Sequence, residues 1–437
     1  VSAPKQPPAP SDSTSSDVVG LATRKSAKAA LEAHVAVLEG TPLRRAIATA
    51  LAEGGNLGGR ERRFVAYAAR ELSRHLRRLN LSAATRGLSA AKLHLVQDQA
   101  LLRYALWRRE LCGASVEKVM GEVALPGPLR PRSIPDAVLR EELEREVRLD
   151  FGATPLEQAA ARHSFPTWLA ERLAASAPEG EVEALFAALN REPTLTLRVR
   201  PPGTREALLA EARAAGLSLE AAPELPDAVV VSDERRAVFD SRWMKDGRLQ
   251  VMDLGSQLLA ALCEAREGET AVDYCAGAGG KTLALADAVG HRGRVYAWDS
   301  SAKRLQEAKR RVGELKLRHV SFPQEPRIDL ADVVLIDAPC SGTGTLGREP
   351  DQKWKLSAKQ LGELVATQQE ILSRVARAVK PGARLVYGTC SVLREENEAV
   401  VETFLAAHPG FRLAASLRVW PQRVPGGGFF GARLVKS

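Results

Sequence analysis

Cysteine and methionine are scarce in this chain, with five and three residues among 437. The cysteines are Cys112, Cys263, Cys275, Cys340 and Cys390, and no two form a C-x-x-C pair. That spacing argues against a zinc ribbon, and no metal site is expected. So few thiols in so long a chain also argue against a disulfide scaffold; reduced thiols in a cytoplasmic setting are expected. No apolar run approaches the ~20 residues that a membrane-spanning helix needs. The G-x-x-x-x-G-K spacing of a Walker A loop is missing, and no repeat of 20 to 50 residues is visible.

What is present is basic charge. Lys and Arg number 62 against 53 Asp and Glu, a net +9, which favours an anionic partner such as nucleic acid. The excess is concentrated: residues 41 to 109 hold fourteen Lys/Arg and four Asp/Glu. In "RFVAYAARELSRHLRRLN", residues 63 to 80, Val65, Ala68, Leu72, Leu76 and Leu79 share one helical stripe. Arg63, Arg70, Arg74 and Arg77 share the opposite one, which is either an RNA-facing surface or an ordinary solvated face.

The chain divides by pattern. Residues 1–20, rich in Pro, Ser and Ala, are expected to be a disordered tail. Residues 21–150 read as an all-α domain, with a proline-rich linker at 125 to 135. Residues 151–245 read as linker helices and a small α+β subdomain: strand 194 to 200, helix 204 to 215, strands 217 to 221 and 228 to 232. From 246 to 437 strands and helices alternate. The strands are apolar without alternation, as in a parallel sheet covered by helices on both faces. "GGGFFGARLVK" suggests a closing antiparallel strand. The fold class is therefore α/β, a doubly wound domain preceded by an all-α domain and a small α+β insert. Its ligands belong past the carboxyl ends of the strands.

Those strand ends carry the chemistry. The first runs into "DYCAGAGGKT", where Gly277, Gly279 and Gly280 let the backbone turn and approach a ligand. The second ends at Asp299, placed to accept bonds from ribose hydroxyls. The third ends in "DAPCSG", with Asp337 and Cys340, and the fourth in "GTCS", with Cys390. A lone cysteine is most often an inert small hydrophobe, and that reading stands for Cys112, Cys263 and Cys275. Two thiols and a carboxylate at neighbouring strand ends read instead as a reaction site. Trp354 is either a stacking platform or packing, and Arg348 and Lys353 are either phosphate contacts or solvated charges.

The stretches "DYCAGAGGKT", "DAPCSGTGTLGREPDQKW" and "GTCSVLREENEAVV", with "VMDLGSQLLA" and "GGFFGARL", resemble the Sun/RsmB-type RNA (cytosine-5) methyltransferases. The early helical segment is similar to the family's NusB-like RNA-binding domain. The resemblance implies a Rossmann-like, seven-stranded class I methyltransferase domain that uses S-adenosyl-L-methionine on RNA, ribosomal RNA foremost. It implies Cys390 as nucleophile, Cys340 as an aid to product release, Asp337 as the group that holds and protonates the cytosine ring, and Lys281 as that carboxylate's support. Asp273, Cys275, Ala276, Gly277, Ala278, Gly279, Gly280, Lys281, Asp299 and Asp337 would bind the cofactor.

The chain departs from the family pattern in three places. Ala278 replaces a proline, Gly427 replaces an acid, and no acid follows the third strand where the adenine would be met, Asp329 lying too late. A non-catalytic RNA-binding or assembly factor with the same fold is the competing reading; a DNA cytosine enzyme is a third, disfavoured by the second thiol.

Overall fold

The computed structural model describes residues 18–89, 92–93, 95–125, 133–232 and 235–437. The expected tail lies almost wholly outside them, as does most of the proline-rich linker, residues 126 to 132. Among the described residues no helix is long and apolar enough to cross a membrane. The chain forms two compact units, residues 1–170 with 349–355, and residues 171–348 with 356–437.

The first unit is helical. The helix Arg24–Leu38 starts at a capping box in which Thr23 and Ser26 satisfy each other's backbone N–H groups. Phe64, Leu72, Tyr104 and Trp107 lie at the centre of its core, with Trp107 edge-on to Tyr104 at 5.8 Å. The stretch read as one helix from 63 to 80 is two, Gly59–Arg74 and Leu76–Thr85, broken at His75. Val65, Ala68, Leu72 and Leu79 are buried as the stripe predicts. The basic stripe is free only in part: Arg63 is exposed and Arg70 half-buried, but the other two arginines are engaged. Arg74 is only 5% exposed and ion-paired to Glu71, and Arg77 donates to the Phe165 carbonyl at 2.6 Å.

The second unit holds two sheets. The smaller has β1 (Thr196–Val199), β2 (Leu219–Ala221), β3 (Ala228–Val231) and β4 (Leu249–Val251), in the order β2-β3-β1-β4. All its pairs are antiparallel. β4 extends this subdomain beyond residue 245.

The larger sheet contains β5 (Thr270–Asp273), β6 (Arg294–Ala297), β7 (Val320–Ser321), β8 (Val333–Asp337), β9 (Arg384–Thr389), β10 (Phe411–Val419) and β11 (Phe429–Lys436). Its order is β10-β11-β9-β8-β5-β6-β7. The five strands from β9 to β7 pair in parallel, while β11 and β10 are antiparallel. Side chains alternate between two cores. Val272, Val334, Ile336, Leu385 and Tyr387 enter one; Ala271, Val333, Leu335 and Val386 enter the other. Burial on both faces explains why these strands read as continuous apolar runs; each such side chain stabilises the sheet by roughly 1.5–3 kcal/mol. From β5 the chain first builds outward through β6 and β7, then crosses to β8 on β5's other side. That reversal opens a crevice at the carboxyl ends of β5 and β8, where a doubly wound sheet takes its ligand.

Candidate active site

A cleft of about 520 Å³ lies at this reversal, a volume suited to a small-molecule ligand. Every site residue read from the sequence lines it except Gly279: Asp273, Cys275, Ala276, Gly277, Ala278, Gly280, Lys281, Asp299, Asp337, Cys340 and Cys390. Gly279 serves the turn instead. Its φ is +82°, and a Cβ there would stand 2.9 Å from that of Ala308. Only glycine lets the loop both turn and pack against the helix Ala302–Glu314.

Ala278, in place of the stiffer proline, is braced from outside. Arg311 donates to its carbonyl at 3.1 Å, and Gln250 of β4 donates to the Gly280 carbonyl at 2.9 Å. Asp299, at the end of β6, accepts from Gly277 N–H at 2.9 Å, Ser301 N–H at 2.8 Å and Arg304 at 2.8 Å.

Asp273 is buried at the cleft floor. Thr282 donates to its Oδ2 at 2.7 Å, while Oδ1 has no protein partner. Burial, with a smaller push from Asp337 and Asp299, raises its pKa to about 7, against the opposing effects of Thr282 and Lys281. An unpartnered acceptor, two further carboxylates and a glycine-turned loop fit a nucleoside carrying positive charge.

At the other end of the cleft, Cys340 Sγ and Cys390 Sγ are 3.3 Å apart. β8 and β9 are adjacent and in register, Asp337 opposite Gly388, so the loops that leave them emerge side by side. The Gly344 N–H donates to the Cys390 carbonyl at 3.0 Å. Any side chain at 344 would strike the Gly428 carbonyl, 2.0 Å from a built Cβ. Lys281 Nζ sits 2.6 Å from Asp337 Oδ2. Burial works against the ammonium, but Asp337, with Asp273 and Cys390, outweighs it and raises the lysine pKa. The Cys340 thiol is held well above its usual range by its bond to Cys390, then by burial and by the charges of Cys390 and Glu396.

Asp329 is exposed, pairs with Arg327 at 3.3 Å and does not line the cleft. Arg348 pairs with Asp253 at 2.6 Å, and Asp253 also accepts the Gly427 N–H at 2.9 Å. Lys353 and Trp354 belong to the helical unit, where they donate to the carbonyls of Arg74 and Ser73 at 2.9 and 2.6 Å. Neither is a base platform or a phosphate contact in the cleft. Sequence reasoning missed Ser256, Tyr274, Trp298, Ser300, Arg304, Ala338, Pro339, Ile371 and Arg374 as lining residues. Tyr274, Ala338 and Pro339 were readable from their places inside the two loop motifs, and Arg304 from its place five residues past Asp299 in the first turn of the following helix.

The fold and this cleft define an S-adenosylmethionine-dependent methyltransferase. The profile of the 16S rRNA methyltransferase RsmB/F family matches residues 260–435, and that of the ferredoxin-like domain of RsmF/B-like methyltransferases matches residues 165–237. The ribosomal RNA small subunit methyltransferase B of Erwinia tasmaniensis is 33% identical over 339 residues, covering 74% of this chain and 77% of that one. Its Serratia proteamaculans counterpart is 34% identical over 339 residues, covering 73% and 76%. The chain belongs to the RsmB/F methyltransferase family. Among solved structures, PH0851 superposes with a TM-score of 0.76 at 25% identity, covering 95% of this chain and 99% of that one. NSun6 from Pyrococcus horikoshii, solved with the S-adenosylmethionine analogue SFG, superposes at 0.55 with 19% identity, covering 62% and 98%. The helical N-terminal region fits a NusB-like domain.

Proposed function

We propose that this protein methylates carbon-5 of a cytosine in ribosomal RNA through a covalent cysteine–cytosine intermediate. The observation that carries this reading is the pair of sulfurs 3.3 Å apart beside the Lys281–Asp337 ion pair, in the cofactor cleft. Carbon-5 of cytosine is too electron-poor to be alkylated directly. Addition of the Cys390 thiolate at carbon-6 forms a C–S bond and shifts the ring's electron pair toward carbon-5. Asp337 faces the ring nitrogen on which charge builds and relays to it the proton that Lys281 shares with the carboxylate across their 2.6 Å bond. When bound, S-adenosylmethionine supplies the electrophilic methyl group that carbon-5 accepts.

Cys340 then completes the cycle. Once Cys390 is a thioether, its hydrogen bond, the largest cause of the raised Cys340 pKa, is gone, and Cys340 gives its proton to water. The Cys340 thiolate takes the carbon-5 proton, Asp337 takes back the proton of the ring nitrogen, the carbon-5–carbon-6 double bond returns, and Cys390 leaves as thiolate. The base must be unpaired or flipped out to reach the cleft.

The test is incubation with unmethylated small-subunit ribosomal RNA and methyl-labelled cofactor, followed by nucleoside analysis. 5-Methylcytidine is expected with the wild type and none with Cys390→Ala. Label in any other nucleoside, or methylation by Cys390→Ala at the wild-type rate, overturns the reading.

A further inference from the structure

Two consecutive buried residues, Glu396 and Asn397, stand behind the thiols. Neither touches the cleft, and both are fully buried. Glu396 ends a short turn, Arg394–Glu396, after β9. Its carboxylate accepts three hydrogen bonds: the Ser341 N–H at 2.8 Å, the Ser341 hydroxyl at 2.5 Å and the Gln368 amide at 3.0 Å. The same Gln368 amide donates to the Pro339 carbonyl at 2.9 Å. Both neighbours of Cys340 are thus fastened through Glu396. Asn397 does the same for Cys390: its side-chain oxygen accepts from the Thr389 hydroxyl at 2.5 Å, and its amide donates to the Ser391 carbonyl at 3.0 Å. The two loops are stitched together by Thr343 Oγ1, which lies 2.9 Å from Ser391 Oγ and accepts the Val392 N–H at 3.1 Å.

We propose that the Glu396–Asn397 dipeptide is the positioning device of the thiol pair, Glu396 placing Cys340 and Asn397 placing Cys390. A buried carboxylate is retained at a desolvation cost, and here only neutral donors meet it through hydrogen bonds; a positioning role accounts for it. The chain's own connectivity supports this, since adjacent residues that each bracket one cysteine fix the two loops relative to each other. The catalytic consequence rests on the reading under "Proposed function"; the spatial claim does not.

Two experiments separate them. In the first, phenylarsine oxide is titrated against the full-length protein. The trivalent arsenic condenses with two closely held thiols, forming two As–S bonds and releasing water. The wild type should bind one equivalent at this pair, lost in Cys340→Ala. Glu396→Gln and Asn397→Ala should each weaken that binding about tenfold, with S-adenosylhomocysteine affinity unchanged within about twofold. In the second, covalent RNA–protein adduct is followed on denaturing gels. Glu396→Gln should accumulate adduct, as Cys340→Ala should. Asn397→Ala should instead slow adduct formation about tenfold when placed in the Cys340→Ala background. If Glu396→Gln does not fold, Ser341→Ala, which removes only the hydroxyl donor, takes its place.

Arsenical binding by both variants equal to wild type overturns the inference. So does adduct accumulation in Cys340→Ala together with wild-type turnover in Glu396→Gln. Absence of adduct in Cys340→Ala itself, with arsenical binding weakened as stated, overturns the covalent reading and leaves the positioning role standing.

Discussion

The helical unit and the methyltransferase sheet both bury charge, but they use it in opposite ways. In the helical unit the buried charged groups are consumed by structure. Arg108, with no exposed surface, is held by Glu122 through two 2.8 Å bonds, and the Tyr104 hydroxyl joins at 2.8 Å. Lys353 donates to a backbone carbonyl, its pKa driven well below normal by burial and by Arg74. Where a group there finds no bond, as with both His34 nitrogens, burial keeps it neutral, with a pKa of about 3. In the sheet unit Asp273, Asp299, Lys281 and Asp337 all face one cleft. The contrast teaches that charge content does not mark a site. What marks one is capacity left over on the side that a ligand can reach.

The thiols repeat the lesson. Burial pushes Cys112 up to about 11 and raises Cys263 further, so both stay protonated and inert. Cys340 and Cys390 differ in placement: they lie 3.3 Å apart and both line the cleft.

The comparison can be broken most sharply in the helical unit. Glu122→Ala leaves Arg108 buried without its counter-charge, and should cost about 3–5 kcal/mol of stability by denaturant unfolding. S-adenosylhomocysteine affinity below the transition should not change; a loss of affinity at unchanged stability would contradict the division of labour. In the cleft, Lys281→Ala removes the Asp337 partner and should lower kcat about 100-fold while leaving the melting temperature within a few degrees. A collapse of stability would make Lys281 structural, like Arg108. Gly279→Ala forces a side chain onto φ +82° and against Ala308. It should weaken S-adenosylhomocysteine binding roughly tenfold, an effect of about 1–2 kcal/mol.

The smallest effect is a pH dependence. The folded pKa of Asp273 is raised, to about 7, so its contribution to stability is greatest below the unfolded carboxylate range. That contribution is lost as pH rises through about 7. Asp273→Asn should therefore stabilise the protein at pH 8 by about 1 kcal/mol or more relative to wild type, and by less at pH 5. An equal shift at both pH values would mean that Asp273 is not held partly protonated.

Much of the sheet was legible because burial on both faces writes unbroken apolar runs into β5, β6, β8 and β9. The cysteines were legible because they close two of those runs. β7 has only two residues and β4 three, too few to show a period. β10 exposes much of its length, so no apolar run announces it. The basic stripe was only partly legible: Arg74 is taken up by Glu71 one turn back on its own helix, whereas Arg77 reaches the Phe165 carbonyl far along the chain. Of the two alternatives for Trp354 it is packing that holds, but with the helical unit: residues 349–355 follow the cysteine loop in sequence yet belong to that unit. Glu396 and Asn397 were in plain view within "REEN". Their partners are set by the juxtaposition of two loops, which no local spacing encodes.

The central claim is that Cys390 attacks and Cys340 releases. The direct measurement is mass spectrometry of the peptide that carries the nucleotide when Cys340→Ala is incubated with its RNA and S-adenosylmethionine. The account predicts a methylated cytidine on the peptide containing Cys390. Nucleotide found instead on the peptide containing residue 340 when the reciprocal Cys390→Ala protein is used, with none at 390 in the first, would contradict it.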